Sequence, residues 1–66
     1  VNSGSVIQVF TATAGQTIFD PIFECNASTK VYVNGYRILS GFSINSGDVV
    51  FTNPFMGGEE VVIENA

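Results

Sequence analysis

Lys30-Val-Tyr-Val-Asn-Gly-Tyr-Arg-Ile-Leu39 decides the reading of this chain. Two runs of β-branched and aromatic residues flank Asn34-Gly35, a pair that tolerates the positive φ angles of a type I′ turn. A two-residue loop sets the register by itself. Val33 then faces Tyr36 and Val31 faces Ile38 on one side of the hairpin, while Tyr32 and Arg37 share the other.

Outward from this hairpin the same grammar repeats. Residues 6–13 read as a first strand, with Val6, Gln8, Phe10 and Ala12 on one face and Ile7, Val9 and Thr11 on the other. Apolar groups on both faces predict cover on both sides. A turn at Ala14-Gly15 leads to a short strand over 16–19, which Asp20-Pro21 ends because proline has no N–H for a ladder. Residues 22–29 form a loop anchored by Ile22 and Phe23. Phe42-Ser-Ile44, a turn at Asn45-Ser-Gly-Asp48, and Val49-Val-Phe-Thr52 follow. Asn53-Pro54 breaks that strand, and Phe55-Met-Gly-Gly58 crosses to a last strand over 59–64, where Val61 and Ile63 oppose Glu60, Val62 and Glu64. Turn residues every 6–12 positions are the rhythm of an all-β chain. The predicted fold is a small antiparallel β-sandwich or partly open barrel of six or seven short strands. Residues 1–5 are a flexible lead-in and residues 6–66 a single β-domain, with Val31, Val33, Phe42, Ile44, Val49 and Phe51 filling a minimal core.

Composition limits what such a domain can do. The chain has 66 residues, 45% apolar, 12% charged, with a net charge of −4. Chains this small gain stability from disulfides, metals or oligomerisation. Cys25 is the only cysteine and there is no histidine, so an internal disulfide is impossible and the common zinc sites are excluded. Self-association, or attachment to a longer chain, remains; valine at position 1 fits an excised or processed piece. Lys30 and Arg37 are the only cations, too few for a nucleic-acid surface. No run reaches the ~20 apolar residues of a membrane-spanning helix. Ser, Thr and Asn together number 17, a polar uncharged skin suited to packing beside copies of the same chain.

The residues offer no catalytic machinery, metal site or cofactor site. Glu59 and Glu60 point to opposite faces of a strand. Asp48 sits where a turn favours aspartate for conformational reasons, and Cys25 has no histidine to activate it. Asn26-Ala-Ser28 matches a glycosylation sequon by its three residues alone. Small sulfur-carrier proteins of the ubiquitin-like fold share stretches such as Ala14-Gly-Gln-Thr17 and Val33-Asn-Gly35, but need an amphipathic helix where this chain has the polar, turn-rich residues 20–29.

In their order, Phe10-Thr-Ala-Thr-Ala-Gly-Gln-Thr-Ile-Phe19, Lys30 to Leu39, Gly41-Phe-Ser-Ile44, Gly47-Asp-Val-Val-Phe51 and Gly57-Gly-Glu-Glu-Val-Val-Ile63 resemble a short β-module of tailed-bacteriophage tail fibres and related appendages, cyanophages included. The resemblance spans residues 6–64. Cys25, Phe55-Met56 and the 20–29 loop fall outside its pattern. It implies a non-enzymatic structural role in the virion, in assembly or host attachment. It also implies other virion proteins as partners and a homo-oligomer, a trimer above all. A capsid decoration (cement) protein and a carbohydrate-binding module are the alternatives. Tyr32, Tyr36 and Arg37 are the candidate receptor surface, since aromatic faces stack on sugars and arginine reads polar groups of a host glycan, with Tyr36 expected to pack partly on the core. Phe55 and Met56 are the candidate subunit interface.

Overall fold

A computed structural model describes residues 6–65, so the lead-in and Ala66 lie outside the described residues. Among the described residues seven strands follow one another: β1 (Val6–Thr11), β2 (Ile18–Phe19), β3 (Lys30–Val33), β4 (Tyr36–Ile38), β5 (Phe42–Asn45), β6 (Asp48–Phe51) and β7 (Glu60–Asn65). They form two antiparallel sheets, one of four strands in the order β1-β7-β3-β4 and one of three in the order β2-β6-β5. The fold is the small all-β, two-sheet class that the turn rhythm predicts.

The central hairpin has the predicted register, with Val31 opposite Ile38, Tyr32 opposite Arg37 and Val33 opposite Tyr36. Asn34 and Gly35 adopt φ of 51° and 87°, the positive pair a type I′ turn requires. Ser46 and Gly47 repeat the device between β5 and β6, with φ of 55° and 84°.

Two strands are shorter than the sequence suggests, for local reasons. Residues 16–17 do not belong to β2, because Gln16 closes a turn. Its side-chain oxygen accepts from the Thr13 N–H at 2.9 Å, its side-chain nitrogen donates to the Ile18 carbonyl at 3.0 Å, and its own N–H reaches the Thr13 carbonyl at 3.0 Å. β1 stops at Thr11 because the crossing segment takes over its partners. Ala12 donates to the Glu59 carbonyl at 2.8 Å and accepts from the Gly58 N–H at 2.7 Å.

The core lies between the sheets. Ala12, Phe19, Cys25, Val31, Val49, Phe51, Val61 and Ile63 are buried. Val33, Phe42 and Ile44, expected in the core, are only partly buried and pack around it. Phe19 is the hub: its ring meets Phe10, Phe51 and Phe55 edge-on at centroid distances of 5.3, 5.5 and 5.5 Å. Such edge-to-face contacts add to area burial because ring edges and faces carry opposite partial charge.

Three burial expectations are corrected. Ile22 is 92% exposed and anchors nothing. Its neighbours Pro21 and Phe23 turn inward instead, and its N–H is held by the Gln8 side-chain oxygen at 2.8 Å. Tyr36, which shares the face of Val33 and Ile38, is 78% exposed because it sits at the hairpin tip, where Val33 opposite it is itself only partly covered. Finally, Val6, Ile7 and Val9 remain 48–57% exposed, so the described residues do not supply the cover predicted for both faces of β1.

Candidate functional site

Two of the uncovered residues, Ile7 and Val9, share one surface, the outer face of the four-stranded sheet. Val31, Val61 and Ile63 point inward, so their neighbours along each strand point outward. The register then aligns outer residues in rows across the strands. Val9, Val62, Tyr32 and Arg37 make one continuous row over all four strands. Ile7, Glu64 and Lys30 make the next, and Thr11 and Glu60 the third. Beside Glu60 sits Asn34, which exchanges two bonds with it: N–H to the Glu60 carbonyl at 2.8 Å, and side-chain oxygen from the Glu60 N–H at 3.0 Å. Leu39, directly after β4, is 81% exposed and lines a cleft of about 210 Å³ with Lys30 and Arg37.

The structure thus divides the candidate receptor residues. Tyr32 and Arg37 lie together on the outer face, while Tyr36 points the other way at the hairpin tip. It also divides Phe55 from Met56. Phe55 packs in the aromatic cluster, 4.8 Å from the Phe51 ring, and Met56 is 88% exposed. The turn between them and β7 is held by Glu59, whose carboxylate accepts from the N–H groups of Met56 at 3.0 Å and Gly57 at 2.8 Å. Those bonds, the Met56 one foremost, hold the Glu59 carboxyl below its ordinary value. Ile7 and Val9 escaped the sequence reading as surface residues of interest. Only the pairing of β1 with β7 puts Val9 in line with Tyr32 and Ile7 in line with Lys30, and alternation within β1 is the one available signal.

Titratable groups elsewhere have structural accounts. Cys25 is buried, and burial pushes its thiol above the ordinary value; a hydrogen bond to Thr29 opposes this, and the charges of Asp48 and Asp20 reinforce it. Asn26 caps a turn by accepting from the Ser28 N–H at 2.7 Å, a conformational role for the sequon position. Asp20, Glu24 and Asp48 line a second cleft of about 220 Å³. There a hydrogen bond with Asp20 raises the Asp48 carboxyl above its ordinary value, and partial desolvation and the Asp20 charge act in the same direction. A raised carboxyl pKa destabilises the fold above that pKa, and the penalty disappears as the pH falls through it. Asp48→Asn should therefore raise the melting temperature at pH 7, with the gain shrinking to nothing in acid. Thermal melts at pH 7 and pH 3 check the sign.

Comparison with family models, with curated proteins and with solved structures finds no match for this chain.

Proposed function

We propose that the chain is a non-enzymatic structural module of a tailed-phage virion, a tail-fibre or appendage domain that works packed against copies of itself and other virion proteins. The observation that carries this reading is the outer sheet face. Val9, 57% exposed, stands in line with Val62 and Tyr32, and Ile7, equally exposed, stands one row away beside Glu64, on a face that no other strand among the described residues covers. Contiguous exposed apolar surface of this kind marks interfaces. The order of the motifs from Phe10 to Ile63 supplies the phage context. A capsid decoration protein would use the same face at lattice points of the shell.

Immunogold labelling of virions from the phage that encodes the chain tests the reading. Gold along the tail or its fibres is the expected result. Gold over the shell transfers the role to capsid decoration, and label absent from purified particles overturns the virion assignment.

A further inference from the structure

We propose that the outer face of the four-stranded sheet binds a second copy of itself, face to face, about a two-fold axis that runs along the strands between β7 and β3. The inference rests on the reading of the chain as a self-associating module and names the partner and its geometry.

The charges decide the orientation. Two identical sheets can meet face to face about an in-plane two-fold axis either along the strands or across them. An axis along the strands keeps each row opposite itself and exchanges β7 with β3. Glu64 of one copy then lies over Lys30 of the other, and the reverse, because these two residues are cross-strand neighbours in one row. Val62 lies over Tyr32 and Val9 over Arg37, so an apolar row meets an apolar row with a long arginine stem at its end. Glu60 comes over Asn34, its own in-chain partner, and meets no carboxylate. An axis across the strands reverses the rows and stacks Glu64 of one copy over Glu60 of the other. Like charges so placed are strongly disfavoured. With the apolar Val9–Val62–Tyr32 row of each copy kept on that of the other, the face is self-complementary in one orientation only.

The geometry tolerates the twist of real sheets. Aligned sheets cross at about 30°, a rotation about the normal to the face that displaces groups in proportion to their distance from its centre. Val62 and Tyr32, each about 2.4 Å from the centre at a strand spacing of about 4.8 Å, shift by about 1 Å. The Glu64–Lys30 row lies two residues along the strands, about 7 Å from the centre, and shifts by about 3.5 Å, within the reach of the long lysine side chain. Size also fits. A stable dimer buries about 800 Å² per partner, roughly a fifth of the chain's 4230 Å², so the entire face must take part and not a corner of it. Leu39 follows β4 at the edge of this face, and the other exposed apolar residues among those described, Val6, Ile18, Ile22, Tyr36 and Met56, sit on five different segments and form no comparable row.

Charge complementation tests this. In sedimentation equilibrium the wild-type chain should be a dimer. K30E and E64K each place like charges across the axis and should weaken self-association at least tenfold, with circular dichroism confirming that each remains folded. Mixed in equal amounts, the two variants should recover a dimer, since each face then meets its opposite. A second measurement needs no variant: on dilution of the wild type, NMR signals of Ile7, Val9, Tyr32 and Val62 should move together while Ile18 and Met56 stay still. Four results overturn the proposal. They are a wild-type monomer at millimolar concentration, a trimer, a mixture that stays monomeric, and dilution shifts confined to β1 (the mark of edge pairing). A trimer that still labels the phage tail would remove this pairing and leave the appendage role standing.

Discussion

Phe19→Ala should leave the chain unfolded at 25 °C. The residue is 1% exposed, on a strand of only two residues, and its ring bridges the two sheets by meeting Phe10 of β1 as well as Phe51 of β6 and Phe55. Replacing a buried phenylalanine with alanine costs about 3–5 kcal/mol, from lost transfer energy and the cavity left behind. Edge-on ring contacts, worth about 0.5–1.5 kcal/mol each beyond area burial, place Phe19 at the upper end of the range for such a replacement. A 66-residue fold at about 0.05–0.15 kcal/mol per residue has only ~3–10 kcal/mol in total. The loss is comparable with the whole stability. Phe19→Leu, which refills much of the volume, should stay folded with a lowered urea midpoint. Phe42→Ala should cost clearly less, because Phe42 is only partly buried at the rim of the cluster. A Phe19→Ala protein with a urea midpoint near wild type would mean that the ring is not the hub.

Nothing in the sequence marks Phe19 as that hub, while other features are plain, and the difference is physical. The 30–39 hairpin is legible residue by residue because its register depends only on a two-residue turn and the alternation beside it. The β5–β6 turn is legible for the same reason. Sheet order is not, because β7 slots between β1 and β3 through contacts between opposite ends of the chain. Period-two patterning says which face of a strand is apolar but not which strand lies beside it. That is why Tyr32 and Arg37 could be assigned to one face from sequence, whereas their alignment with Val9 could not. The orientation of Ile22 is not legible because a hydrophobic residue in a loop carries no periodic signal. The loop turns Pro21 and Phe23 inward and leaves the residue between them outside.

Asn34→Ala should lower the melting temperature by about 8–15 °C, more than any other single substitution at the surface of the hairpin. Two losses combine. At φ 51° the residue occupies the left-handed region, where a side chain without the local bonding of asparagine costs roughly 1–2 kcal/mol. Its side-chain oxygen also accepts the Glu60 N–H at 3.0 Å, tying the turn to the first residue of β7, and such a bond contributes about 0.5–1.5 kcal/mol net. About 2 kcal/mol together, in a domain this small, corresponds to the stated shift. Asn34→Gly separates the two contributions. Glycine adopts the turn without strain, so only the bond to β7 is lost and the shift should be about half as large. The backbone bond from the Asn34 N–H to the Glu60 carbonyl survives both changes. Equal shifts for the two variants would assign the whole effect to the link with β7. No shift for either would show that the turn most visible in the sequence is not what holds the four-stranded sheet, and with it the outer face, in register.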